Sequence, residues 1–236
     1  MGAPGRYGRE MAEPMPRVVA FDVNETLLDL RVLDEPFTRL FGAPEMRSQW
    51  FSSMLQLSFV GALTGDYVDF TAAQHAALRM LARRADVQLS DAEADDLVGM
   101  MRELPPHADA PGALAAIARS PLRVVALTNS TSTVAEAQLG HAGLREYFEQ
   151  VMSADSVRSL KPTPAPYHMV ADAFGVDPGQ VRLVAAHSWD VTGALRAGCR
   201  AAFVARPGMV PSPLGPQPDI VGDDLHEVVA AILATD

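Results

Sequence analysis

Cysteine is all but missing from this chain. Cys199 is the only one, which excludes an intrachain disulfide and any cluster of thiolate metal ligands. Set in LRAGCRAAFVA, just ahead of an apolar run, it reads as a small buried hydrophobe rather than a nucleophile. Basic charge is also short. Nineteen Lys and Arg against 29 Asp and Glu leave a formal charge of −10, and no basic run supplies the phosphate contacts of a nucleic-acid binder. Long apolar runs are absent as well. Nothing approaches the roughly 18 to 20 residues needed to span a bilayer, and the N-terminus carries no apolar signal segment, so no membrane partner is expected and a cytoplasmic address is the default.

What the chain has is enough apolar material for a sizeable core, 48% of 236 residues, which suits one α/β domain with an insertion. Residues 1–16 mix Gly, Pro and charge without periodicity and read as a disordered leader. RVVAFDVNETLLDL, Arg17 to Leu30, follows: a β-rich run ending in Asp22 and then a polar turn, Asn24-Glu25-Thr26. Such a run reads as a buried parallel strand, and the end of such a strand is where open α/β sheets present their chemistry. The competing reading makes Asp22 a helix cap.

Leu33 to Leu104 is helical in pattern. Met46 to Leu63 and Phe70 to Ala82 carry apolar residues at three- and four-residue spacing, and Ser90-Asp91-Ala92-Glu93 has the form of a capping box. The block is too long for an ordinary strand-to-helix connection, so an inserted helical subdomain over 33–104 is expected, flanked by a core of 17–32 and 105–236. Beyond Pro105-Pro106, strand and helix alternate as in a doubly wound parallel sheet. Strands are expected at Leu122 to Leu127, Gln150 to Ser153, Val181 to Ala186, Ala201 to Ala205 and, at an edge, Ile220-Val221. Helices are expected at Gly112 to Arg119, Ser132 to His141, Pro164 to Phe174, Val191 to Ala197 and Leu225 to Leu233. The stretch Arg206 to Pro218, with five prolines, is expected to be irregular.

Three of these strands end in polar clusters: Asp22 to Thr26, Thr128-Asn129-Ser130, and His187-Ser188-Trp189-Asp190. Lys161 follows a fourth. In a parallel sheet these ends share one edge, so carboxylates, hydroxyls, an amide and an ammonium can meet in one cleft. A lysine beside a buried carboxylate keeps it ionised and ready to attack. A buried ion pair with capping hydroxyls is the purely structural alternative.

The order Asp-x-x-x-Thr, Thr-Asn, Lys-Pro and Trp-Asp resembles the haloacid dehalogenase superfamily, whose fold is a Rossmann-like core with a helical cap. GHAGLREYFE (140–149), SADSVRSLKPTPAPY (153–167) and HSWDVTGALRAG (187–198) look like its L-2-haloacid dehalogenase branch. The resemblance implies that Asp22 is the nucleophile, that Thr26 and Asn129 support its carboxylate or the ester, that Lys161 balances its charge, and that Thr128, Tyr167 and Asp190 complete the network. It implies attack on the α-carbon of a small 2-haloacid, release of halide, and hydrolysis of an aspartyl ester, with no cofactor. A homodimer, known among related dehalogenases, is left open.

The departures narrow the chemistry. Where the superfamily's phosphatases carry a second aspartate, this chain has Asn24. An amide cannot protonate an alkoxide, and Asp190 has no acidic neighbour to complete a magnesium site, so a metal-dependent phosphatase ranks last and no metal is expected. The arginine that receives halide in the family falls at Phe51, beside Trp50. Arg47, one turn away, is a candidate replacement, the alternative being an exposed helix arginine. His187 stands where an asparagine is usual, either to position or deprotonate the ester-cleaving water or to serve as a satisfied supporting donor. Asn24, Arg47, Trp50, Phe51 and Trp189 are the candidates for contacting substrate. Two further hypotheses follow: ring opening of azetidine-2-carboxylate, an activity of similar proteins, and a catalytically lapsed binding protein on the same fold.

Overall fold

A computed structural model describes residues 15–236, so the expected leader falls outside them apart from its last two positions. The first strand, β1 (Val18–Phe21), is buried throughout. Val19 and Phe21 face one side of the sheet and Val18 and Ala20 the other, the two-sided burial that makes a parallel strand apolar without alternation.

After β1 the chain forms only helices until residue 123: α1 (Asp34–Phe41), α2 (Glu45–Thr64), α3 (Phe70–Arg84), α4 (Asp91–Gly99) and α5 (Ala110–Ile117), with short 3-10 turns between. The capping box at the head of α4 is formed, Ser90 Oγ accepting from the Glu93 amide at 3.2 Å and Glu93 Oε2 from the Ser90 amide at 2.9 Å. Asp69 caps α3 in the same way, accepting from the Ala72 amide at 2.9 Å. The remaining elements alternate: β2 (Arg123–Thr128), α6 (Ser132–His141), β3 (Gln150–Ser153), α7 (Pro164–Phe174), β4 (Val181–Ala185), α8 (Ser188–Arg196), β5 (Arg200–Val204), β6 (Ile220–Gly222) and α9 (Leu225–Thr235). Helix α8 begins three residues earlier than its apolar pattern suggests, because His187 is extended and the helix starts directly after it.

All six strands are parallel, in the order β3-β2-β1-β4-β5-β6. This is the Rossmann-like doubly wound arrangement, with a switch of direction between β1 and β4. One face packs against α5, α6, α9 and the helices inserted after β1, and the other against α7 and α8. The insertion shares its core with the first face: Phe37, Trp50 and Met54 belong to the same apolar cluster as Phe21 and Val184. Among the described residues no helix is long and apolar enough to cross a membrane. Cys199 is buried, as its surroundings suggest, and burial pushes its thiol up to about 12.

Candidate active site

Because β1 lies between β2 and β4, its carboxyl end delivers Asp22 to the middle of the sheet edge, where the Asp22 amide donates to the Val184 carbonyl at 3.0 Å. Lys161 reaches this point from beyond β3. Its ammonium donates to Asp22 Oδ1 at 2.8 Å, to Asp190 Oδ2 at 2.6 Å and to the Leu127 carbonyl at 2.9 Å. All three N–H donors are thereby used, within a side chain wholly buried. Burial by itself raises the Asp22 carboxyl, but the Lys161 charge and the adjoining His187 more than offset this and hold it well below the usual carboxylate range. Burial likewise opposes the charge on Lys161, and Asp190 and Asp22 overcome it and raise its pKa. The result is a carboxylate kept anionic by a buried ammonium.

Thr26 Oγ1 donates to Asp22 Oδ2 at 2.6 Å and is oriented by the Ala186 amide, which donates to it at 3.0 Å. Behind Lys161, the Tyr167 hydroxyl donates to Asp190 Oδ1 at 2.6 Å. Asp190 is buried completely, and burial with the nearby Asp22 charge raises its pKa against the pull of Lys161. Burial, followed by the Asp190 charge, also pushes the Tyr167 hydroxyl far up, so it stays a donor.

Four expected roles are placed differently. Asn129 does not reach Asp22. Its side chain brackets the Lys161 backbone, accepting from the amide at 2.8 Å and donating to the carbonyl at 3.1 Å, so it positions the lysine. Thr128 Oγ1 accepts from the Ser130 amide at 3.1 Å and braces that turn. Asn24 donates to Ser130 Oγ at 3.3 Å and accepts from Gln138 Nε2 at 2.9 Å, which ties its amide to α6 and to the turn after β2. Trp50 is fully buried against Phe37 with its indole N–H on the Gln74 carbonyl at 2.9 Å, so it is packing inside the insertion and not a substrate contact.

Phe51, by contrast, does reach the site. Its ring stacks on His187 at 5.8 Å between centroids; Trp189 also stacks on His187, at 5.1 Å, and Phe59 meets Trp189 edge-on at 5.4 Å. The Trp189 indole N–H is buried without a hydrogen-bond partner, a donor free for an incoming anion. Arg47 is not the exposed helix arginine of the alternative reading. It is mostly buried and bridges Asp34 Oδ1 at 2.5 Å and Glu25 Oε1 at 3.4 Å.

His187 Nδ1 lies 3.2 Å from Asp22 Oδ2 and Nε2 lies 2.9 Å from Glu25 Oε2. An imidazole with a carboxylate at each nitrogen is suited to carry both protons. Burial works against that charge, yet the bonds to Asp22 and Glu25 raise the pKa to about 9. With that pKa both ring nitrogens are donors in the free protein, which is the supporting-donor reading of the two offered for His187. Glu25 is the site residue that the sequence reading passed over. Its one signal is an acid in the same turn as Asp22.

The magnesium of the superfamily's phosphatases does not fit these residues. Lys161 fills the gap between the two aspartates, Asn24 is engaged elsewhere, and among the described residues no group of three or more His, Cys, Asp or Glu is arranged to hold a metal.

A family model for haloacid dehalogenase-like hydrolases matches residues 16–198. The chain belongs to that family. Among curated haloacid dehalogenase-like relatives, the (S)-2-haloacid dehalogenase of Xanthobacter autotrophicus is 32% identical over 194 residues, covering 81% of this chain and 76% of the other. That of Pseudomonas sp. (strain YL) is 29% identical over 215 residues, covering 89% and 92%. Among solved structures, the Xanthobacter autotrophicus L-2-haloacid dehalogenase with chloropropionic acid covalently bound superposes with a TM-score of 0.88 at 26% identity, over 94% of this chain and all of that one.

Proposed function

We propose that this protein is a metal-independent hydrolase of small L-2-haloacids, converting them to 2-hydroxy acids through an ester on Asp22. The observation that carries the reading is the buried Asp22–Lys161–Asp190 chain of contacts, which supplies an ionised nucleophile with no metal in the charge balance. Asp22 attacks the α-carbon opposite the halide, with inversion, and water then attacks the ester. The likeness to a dehalogenase bearing covalently bound chloropropionic acid supports the same course.

In this reading the inserted helices, 33–104, act as a cap over the sheet edge. Phe51 and Trp189 border the substrate, the free Trp189 N–H meets its carboxylate or the departing halide, and Thr26, Lys161, Tyr167 and Asp190 hold Asp22 in its attacking form. Ring opening of azetidine-2-carboxylate draws support from one feature, the cationic N–H of His187 beside Asp22. Chloride release from L-2-chloropropionate tests the main reading. It is expected from the wild type and not from Asp22→Asn; a folded wild type that releases no chloride overturns it.

A further inference from the structure

Glu25 sits in the left-handed region, φ 60, where residues other than glycine are uncommon. The turn brings its carboxylate onto His187 Nε2 at 2.9 Å, while Arg47 holds its other oxygen at 3.4 Å. The His187 ring is pinned by stacking with Phe51 and Trp189, which leaves its two nitrogens as its polar edge, one on Glu25 and one on Asp22. A carboxylate that orients an imidazole whose second nitrogen faces the reacting group is the logic of a catalytic acid-base pair. Asp190 faces away from this pair, accepting from Lys161 and Tyr167 on its two oxygens with no exposed surface.

We infer that Glu25 and His187 form a proton relay in which His187 gives its Nδ1 proton to the leaving atom and recovers one from the ester-cleaving water, so that the site also opens strained cyclic ethers bearing a 2-carboxylate. The inference rests on the Asp22 ester proposed above. In the first half-reaction an Asp22 oxygen bonds the α-carbon, the bond from that carbon to the ring oxygen breaks, and the oxygen takes the Nδ1 proton. Neutral His187 remains, its Nε2–H on Glu25. Because esterification has removed the negative charge facing Nδ1, nothing reprotonates it at once. In the second half, water adds to the Asp22 ester carbonyl and passes a proton to Nδ1, and collapse releases the hydroxy acid, the Asp22 carboxylate and the imidazolium. Protons balance over the cycle. A halide leaves without the proton, so with haloacids His187 stays an imidazolium, the relay is idle, and the proton set free by ester cleavage passes to solvent water. His187 is the catalytic residue here and Glu25 its positioning residue. The charged groups around the pair are Asp22, with Lys161 and Asp190 behind it, and Glu25, with Arg47 and Asp34 behind it.

The test compares wild type, His187→Asn, Glu25→Gln and Glu25→Asp on L-2-chloropropionate and oxirane-2-carboxylate, following the Asp22 adduct by rapid-quench mass spectrometry. With chloropropionate, His187→Asn is expected to release chloride and to form the Asp22 adduct, because a halide takes no proton. With the oxirane it is expected to form no adduct. Glu25→Gln should show the same loss with the oxirane and Glu25→Asp should recover part of the activity. In the wild type, which needs no substitution to fold, oxirane opening should fall as pH rises through about 9, while the chloride burst should not. Formation of the oxirane adduct by His187→Asn, or parallel pH profiles for the two substrates, overturns the relay while leaving the Asp22 ester intact. A wild type that forms no adduct with either substrate overturns the ester reading and the relay together.

Discussion

The Lys161 ammonium lies 2.8 Å from Asp22 Oδ1, and both side chains are buried. Removing one partner of a buried ion pair leaves the other charge unpaired and costs about 3–5 kcal/mol. Lys161 holds two carboxylates, so Lys161→Met is expected to lose activity and to unfold at least that much more easily, measured by urea denaturation. Stability equal to wild type would show that the two aspartates do not need it.

Because that ammonium occupies the space between the aspartates, chloride release should be unchanged by EDTA and by added magnesium. Loss of activity with EDTA, restored by magnesium, would mean that a cation displaces Lys161 in the working enzyme.

His187 ties stability to pH with a definite sign. Its folded pKa of about 9 stands above an unfolded value of about 6.5. The imidazolium therefore contributes stability that is complete below about pH 6.5 and is lost as pH rises through about 9, on the order of 3 kcal/mol in all. The stability gap between wild type and His187→Asn, from denaturation at pH 6 and pH 10, should narrow by that order. A gap that widens with pH would place a neutral imidazole between Asp22 and Glu25.

Gly193, in α8, lies where a Cβ would come within 2.5 Å of the Tyr167 hydroxyl and 2.8 Å of the Pro162 carbonyl. Gly193→Ala should displace Tyr167 from Asp190, lowering kcat more than it changes KM and costing about 1–3 kcal/mol of stability. Unaltered kcat would mean that the Tyr167 contact does not position Asp190.

Trp50→Ala is expected to cost about 3–5 kcal/mol as a core truncation. Its KM for chloropropionate should stay near wild type once folding is corrected for, whereas Trp189→Phe, which deletes the unpartnered N–H, should raise KM. Reversal of these two effects would return Trp50 to the substrate side.

What could be read from the sequence follows from what a strand pattern encodes. Val18 to Phe21, Gln150 to Ser153 and Val181 to Ala185 read as strands followed by polar groups, and a parallel sheet brings such ends to one edge, so Asp22, Lys161 and Asp190 could be gathered without coordinates. Side-chain direction cannot be read in that way. Asn129 turns to the Lys161 backbone, and Trp50 turns into the insertion next to a Phe51 that faces His187. Adjacent helix residues point some 100° apart, and the mixed apolar faces of α2 do not say which one meets the core. The Glu25–His187 pair joins residues 162 positions apart, and Glu25 gains its place from a backbone conformation that its own residue type does not announce.

The most direct measurement is a single turnover of L-2-chloropropionate by wild-type enzyme in water enriched in heavy oxygen, followed by mass analysis of the peptide carrying Asp22 and of the product. An ester on Asp22 cleaved at its carbonyl predicts heavy oxygen in the Asp22 carboxylate and ordinary oxygen in the 2-hydroxypropionate. Heavy oxygen in the product, with none in Asp22, would mean that water attacks the α-carbon directly and would contradict the account.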